Sequence, residues 1–331
     1  MKALVYTAEK TLSYLDYDDT IQNPNEELIK IDSVGICGSD MHAFLGHDER
    51  RPSPLILGHE PSGTIMNGPN SGSKVTINPL VTCGNCFYCL SEKNNLCTTR
   101  QIISMPPREG AFAELISMPP QNLVYIPEGI EMEKASLAEP LACGWHAIRL
   151  AEKASDICLK DANCLIIGGG AIGLGSALAL KAKGATKIFL AETNILRHKV
   201  LNDACGMEVF NPITEKPLKE GEAHIVIDAV GLKVSREMAS QFISPGGVIM
   251  HIGLGEPSEG LDIRRMTLQE ISFIGTYTYT SLDFKETAKA IFENKLGQLD
   301  WIDVRPLKDG QKSFNEILKG EASSPKIILK P

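Results

Sequence analysis

The segment Gly168-Gly169-Gly170-Ala171-Ile172-Gly173 constrains this chain more tightly than any other. A G-x-G-x-x-G spacing alone says little, because glycine-rich turns are common. Its setting says more. An apolar run, Cys164 to Ile167, leads into it, and the small and apolar stretch GLGSALALKAKG leads out. Glu192 closes the next apolar run, 19 residues past Gly173. Strand, turn, helix, strand and acid in that order describe a dinucleotide-binding βαβ unit. Gly168 permits the tight turn, Gly170 lets backbone approach a pyrophosphate, and Gly173 lets helix and strand pack closely. The helix start at Ala171 and Ile172 offers free N–H groups and the positive end of a dipole. Glu192 suits hydrogen bonds from an adenosine ribose diol and repels a 2′-phosphate, so NAD is expected over NADP. Arg197 and His198 follow closely enough to weaken that preference.

The flanking texture agrees. Strand-like runs NCLIIG, KIFLAE, EVFNP, HIVIDAV, GVIMHIG and ISFIGTY alternate with helix-like runs. Six strands with crossover helices predict a doubly wound parallel sheet. The first third reads differently, as short strands such as KALVYT, ELIKIDSVGI and KVTINPL broken by turn residues, with little helical periodicity before Glu131. From Glu131 to Ala151 apolar residues recur at helical spacing. Asp283 to Lys295 reads as a helix and the tail SSPKIILKP as a strand. The 331 residues carry 33 Lys and Arg against 41 Asp and Glu, a net charge of −8. No basic stripe for nucleic acid is visible. The longest apolar stretch, Cys164 to Leu180, is too glycine-rich for a membrane span. MKALVYTAEK lacks the apolar core of a signal peptide, so a cytoplasmic protein is expected.

Nine cysteines in such a chain suggest metal or catalytic duty before disulfides. Cys83, Cys86, Cys89 and Cys97 form C-x2-C-x2-C-x7-C. Four thiolates so closely spaced suit one tetrahedral zinc with no position left open for substrate, hence a structural site. An iron–sulfur cluster also takes four thiolates. Cys143, Cys158, Cys164 and Cys205 lie in apolar surroundings and read as core residues.

Three further segments carry chemistry-bearing residues: Cys37 in GICGSDMH, His59 and Glu60 in ILGHE, and Glu139 in LAEPLAC. Together with the cysteine lobe and the glycine turn with its acid, all in one order, they make the chain resemble a zinc-dependent medium-chain dehydrogenase almost end to end. The resemblance implies an α/β protein. A GroES-like β-rich catalytic domain would comprise residues 1–140 and 277–331, with a Rossmann domain at 141–276. It implies two zinc ions per chain and NAD in a cleft between the domains. Cys37 and His59 match the first two catalytic-zinc ligands, and Glu60 the acid beside them. Glu139 stands where many alcohol dehydrogenases carry a third Cys. A Glu there resembles the polyol branch, with its sorbitol-like and sugar-alcohol-phosphate dehydrogenases. Which of Glu60 and Glu139 touches metal stays open.

By the same resemblance, Ser39 and His42 match a proton relay from the substrate hydroxyl to the surface, imidazole being suited to the last step. Val230-Gly231, Ile252-Gly253 and Thr276-Tyr277 would lie near the cofactor, and the protein would be a homo-oligomer, dimer or tetramer. The implied reaction is hydride transfer between NAD and a secondary alcohol, a polyol or sugar alcohol. A simple alcohol dehydrogenase, a threonine-like amino-alcohol dehydrogenase and a catalytically silent NAD- and zinc-binding protein are the alternatives. His47, Arg50 and Arg51 in LGHDERRPSP are candidates to meet a phosphate or carboxylate on the substrate. A solvated loop is the blander reading of the same residues.

Overall fold

The apolar runs after residue 160 become one six-stranded sheet. Its strand order is Glu208–Phe210, Lys187–Ala191, Asn163–Ile167, Ala223–Asp228, Ile243–His251, Ser272–Gly275, and every ladder is parallel. Parallel strands are covered on both faces, so they read as unbroken hydrophobic runs. Cys164 to Ile166 and Ile225 to Asp228 are accordingly buried without alternation. Leu165, Ile167, Val226 and Ile249 pack with Ala239 and Phe242 from helix Lys233–Phe242 into one core.

The computed structural model describes residues 1–206 and 208–331, without the side chain of Cys205, so that thiol's expected place in the core lies outside the described residues. Two compact units emerge. One comprises Met1–Pro140, Thr280–Glu293 and Ile302–Pro331, and the other Leu141–Tyr279 and Asn294–Trp301. Residues 277–279 and 294–301 thus group with the parallel sheet.

The first unit is β-rich. Its larger sheet runs Leu123–Tyr125, Lys74–Ile77, Glu60–Ile65, Glu27–Gly35, Lys326–Lys330, Ile302–Pro306, with Leu115–Met118 also pairing Glu27–Gly35. The last two strands on that path pair in parallel, and the other ladders are antiparallel. A smaller sheet joins Thr11–Asp16, Lys2–Ala8 and Leu55–Ile56. Phe44, Phe112 and Phe314 meet in its core, with ring centroids 5.2 and 6.0 Å apart. Helix Gly38–Phe44 lies in the stretch where little helical periodicity was visible. Seven residues make under two turns, too few to show a period of 3.6. Among the described residues no helix is long and apolar enough to cross a membrane.

Register sets the site. Gly35 pairs with Glu60 on one side and with Ile328 on the other. A Cβ at Gly35 would lie 1.9 Å from Glu60 Oε2, so this glycine is what lets the carboxylate lie across the strand.

Candidate metal centre and dinucleotide turn

Cys37 lies two residues past the strand Glu27–Gly35, at the N-cap of helix Gly38–Phe44. Glu60 opens the neighbouring strand Glu60–Ile65, and His59 immediately precedes it. The ligating atoms of Cys37, His59 and Glu60 all lie within 4.8 Å of one another, with both His59 and Glu60 buried. Sulfur, imidazole nitrogen and carboxylate oxygen are the donors zinc takes. Glu139, buried at the start of helix Ala138–Ala154, stands outside that group of three.

Two residues that the sequence reading did not assign hold this set. Asp40, fully buried, accepts hydrogen bonds from the Cys37 and Gly58 amides (3.0 and 3.2 Å) and lies 3.3 Å from His59 Nδ1. A carboxylate behind a ligating imidazole fixes its tautomer and raises its basicity. Burial works against the Asp40 carboxylate, but His59 and Arg51 outweigh it and keep its pKa below the ordinary range. Burial likewise opposes the His59 imidazolium, yet Asp40 and the Cys37 sulfur hold its pKa well above the usual value. The pocket therefore favours a cation at its centre, which is what a metal ion supplies. Lys326, buried, donates to both Glu60 oxygens (2.7 and 2.8 Å) and to the Ile36 carbonyl (2.8 Å). Burial would lower its pKa, but Glu60 first, then Cys37 and Glu139, raise it. No local motif points to Lys326, because 266 residues separate it from Glu60.

Ser39 Oγ lies 3.4 Å from His59 Nε2. His42 follows one turn along the same short helix, and residues three apart share a helix face. The neighbouring loop corrects an expectation. Arg51 is buried rather than solvated or substrate-facing. It bonds Asp48 Oδ2 (2.7 Å), the Ser104 carbonyl (2.9 Å) and the Ser39 carbonyl (3.4 Å). Arg50 is chelated by both Asp48 oxygens (2.8 and 2.9 Å). Both guanidiniums are thus engaged within the loop and its underlying backbone.

The four lobe cysteines also meet within 4.8 Å. The sulfur pairs Cys83–Cys89, Cys86–Cys89 and Cys83–Cys97 stand 3.9, 3.6 and 3.6 Å apart, close to the edge of about 3.8 Å that a tetrahedron with zinc–sulfur bonds of about 2.3 Å requires. A multi-iron cluster would interpose several atoms and spread the thiolates further. Amides of Asn85 and Cys86 pull the Cys83 pKa down to about 6, while burial and neighbouring thiols push Cys89 up to about 11. Asn94 Oδ1 accepts the Ser281 amide (3.0 Å), tying the lobe to the start of helix Ser281–Phe292. Of the other cysteines, Cys164 is buried and its thiol is pushed up to about 12 by burial. Cys143 is half-buried. Cys158 is exposed and donates to Asp161 (3.0 Å), so neither of these two is the core residue expected.

In the second unit the glycine turn follows strand Asn163–Ile167. Gly168 has φ +97°, and a Cβ at Gly173 would lie 1.7 Å from the Gly168 carbonyl oxygen. Nothing lies within 4 Å of a Cβ at Gly170. Helix Ala171–Ala182 starts there with no side-chain cap, and its first hydrogen bond back to Gly170 comes from Leu174 (2.9 Å). The leading amides, at Ala171, Ile172 and Gly173, are therefore available to an anion. Glu192 accepts the Gly169 and Asn194 amides (3.0 and 2.7 Å), and Arg197 Nη1 lies 3.5 Å from its Oε2. His198 is turned to the Glu192 carbonyl (2.7 Å). Val230 and Gly231 donate to Asp228 Oδ1, Ile252 and Gly253 donate to the Asp228 carbonyl, and Thr276 donates to the His251 carbonyl. All these residues follow the C-terminal ends of the parallel strands, the edge where open α/β sheets bind ligands.

With this geometry in hand, the fold and its donor sets define a zinc-dependent dehydrogenase built on a nucleotide-binding sheet. Residues 23–128 match the alcohol dehydrogenase GroES-like domain, and residues 171–293 match the zinc-binding dehydrogenase domain. The chain is 30% identical to L-galactonate-5-dehydrogenase of Escherichia coli, over 89% of this chain and 88% of that protein. It is 27% identical to (R,R)-butanediol dehydrogenase of Saccharomyces cerevisiae, over 100% of this chain and 98% of that one. The crystal structure of galactitol-1-phosphate dehydrogenase from Escherichia coli superposes with a TM-score of 0.88, covering 100% of both chains at 23% identity. The chain belongs to the zinc-dependent medium-chain alcohol dehydrogenase family and is an oxidoreductase of that family.

Proposed function

We propose that this protein is an NAD-linked zinc dehydrogenase that oxidises a secondary hydroxyl of a polyol or sugar alcohol. The observation that carries the reading is the convergence of Cys37, His59 and Glu60 with Ser39 beside His59. Relatives named for a sugar-acid 5-hydroxyl and a vicinal diol support a polar secondary alcohol. We read the first unit as the catalytic domain and the second as the cofactor domain. Cys37, His59 and Glu60 would hold a zinc, with Glu139 next in reach of the site and the four lobe cysteines holding a second ion. A bound zinc supplies Lewis acidity that lowers a hydroxyl pKa, and a nicotinamide supplies the hydride acceptor. Ser39 Oγ then takes the hydroxyl proton, and His42 relays it to solvent. Asp40 keeps the His59 ring in place. Lys326 holds the Glu60 carboxylate and offsets the negative charge that Cys37, Glu60 and Glu139 accumulate.

At the cofactor turn, Glu192 favours the ribose diol of NAD, while Arg197 offsets part of its charge. An engaged Arg50 and Arg51 favour an uncharged polyol over a phosphorylated one. We further read the protein as a cytoplasmic homo-oligomer. The test is a panel of polyols, simple alcohols and amino alcohols, each with NAD and with NADP, alongside metal analysis. NADH formation with polyols ahead of the other classes is expected. Turnover confined to simple or amino alcohols, or absent from zinc-replete protein, overturns the reading.

A further inference from the structure

His251 ends strand Ile243–His251 and takes no part in the chemistry above. Its side chain is mostly buried, and its Nε2 is buried without a hydrogen-bond partner, 3.6 Å from Asp228 Oδ2. Phe273, on the next strand, packs its ring against the imidazole at 5.3 Å. Asp228 is fully buried and serves as a hub. Its Oδ1 accepts the Val230 and Gly231 amides (3.0 and 2.9 Å), its Oδ2 accepts the Ser235 hydroxyl (3.0 Å), and its carbonyl accepts the Ile252 and Gly253 amides (2.9 and 3.1 Å). The two turns touch backbone to backbone, since a Cβ at Gly231 would lie 2.2 Å from the Gly253 carbonyl oxygen.

Strand order then decides which half of a dinucleotide faces this hub. The glycine turn follows the central strand Asn163–Ile167. Glu192 follows its neighbour on one side and claims the adenosine ribose. The nicotinamide half must extend to the other side, over the ends of Ala223–Asp228 and Ile243–His251. An oxidised nicotinamide ring is a cation and a reduced one is neutral. A charge at the hub therefore acts on the difference between them.

We propose that His251 is a specificity-determining residue for the oxidation state of the dinucleotide. Neutral, it leaves the Asp228 carboxylate to favour the nicotinamide cation; protonated, it cancels that charge and shifts preference toward the reduced ring. The inference rests on the dinucleotide reading of this edge. The charged groups facing the imidazole are Asp228 on the adjacent strand and, from helix Lys233–Phe242, Arg236, whose guanidinium bonds the Gly231 carbonyl (2.8 Å) and lies 4.0 Å from Glu256. Burial, with Arg236 adding to it and Asp228 opposing, lowers the His251 pKa from its ordinary value. The imidazole is thus neutral at pH 7 and takes up its proton on the acid side.

Two measurements test this on the full-length protein. NAD affinity by calorimetry and NADH affinity by fluorescence are followed from acid to mildly alkaline pH in wild type and His251→Gln. The NAD-to-NADH affinity ratio should fall about three- to tenfold on acidification in wild type and should change far less in the variant. Because coupling is reciprocal, imidazole NMR should show His251 titrating higher in the NADH complex than in the NAD complex of unmodified protein. That second readout stands even if the variant folds poorly. Equal His251 titration in the two complexes, or a His251→Gln protein that keeps the wild-type pH dependence, overturns the proposal. Failure of either dinucleotide to bind overturns the cofactor reading beneath it, and the proposal with it.

Discussion

Ser39 and Lys326 touch the same donor set with different consequences. In the proposed relay Ser39 Oγ, 3.4 Å from His59 Nε2, would matter most as alkoxide character develops. Ser39→Ala should therefore lower kcat by about a hundredfold to ten-thousandfold while leaving NADH affinity, read by fluorescence, nearly unchanged. His42→Ala should cost less and respond to added imidazole. Full turnover in Ser39→Ala, with a deuterated substrate showing hydride transfer to be rate-limiting, would remove Ser39 from the reaction. Lys326 acts on stability. Lys326→Met leaves the Glu60 carboxylate buried without its cation, at a cost of about 3–5 kcal/mol. Denaturant unfolding of metal-free protein should show that loss, and Lys326→Arg should recover part of it. Unchanged unfolding in Lys326→Met would mean that water or another cation already serves Glu60. These residues differ in how far the sequence reveals them. Cys37, Ser39, His59 and Glu60 sit in short motifs. Asp40 stands inside GICGSD, yet its work depends on His59 arriving from another strand. Lys326 reads as one lysine among many in a C-terminal strand, and only the pairing of three strands brings it to Glu60.

At the scale of elements, the loop from His47 to Arg51 behaves as a staple. Asp48 binds Arg50 and the buried Arg51, and Arg51 in turn holds the carbonyls of Ser39 and Ser104. Burial raises the Asp48 pKa, but the arginines outweigh it and hold it below the ordinary 3.8. A depressed carboxylate pKa stabilises the fold above the unfolded value and loses that contribution as pH falls through the folded one. Asp48→Asn should therefore destabilise by about 3 kcal/mol at neutral pH. The gap from wild type, measured by denaturant unfolding, should close below pH 3.8. A gap that persists at lower pH would place the effect in packing rather than charge. A double arginine between turn residues looks solvent-facing in sequence, since nothing local tells that one of the pair turns inward. Helix Gly38–Phe44 is hidden for a related reason, being too short to show a period. The six parallel strands stand out, because burial on both faces leaves unbroken apolar runs.

At the scale of the whole molecule, the two donor sets predict separate metal populations. Purified wild type should hold about two zinc ions per chain. Cys86→Ser should lose the lobe ion and some thermal stability while keeping the other ion, and Cys37→Ser should lose turnover with the fold retained. Elemental analysis showing one ion in wild type, or an active Cys37→Ser protein, would reject this layout.

The path of the chain carries a further consequence. It passes from the first unit to the second at residue 141, returns at 280, leaves again at 294 and comes back at 302. The second unit is therefore not one continuous cassette. A chimaera that transplants it from a relative has to carry Leu141–Tyr279 and Asn294–Trp301 together, around a helix that stays with the host. A graft of the longer segment alone would leave the foreign sheet and the native Asn294–Trp301 segment to fit each other by chance. Recombination between family members at a single crossover near residue 280 inherits the same mismatch.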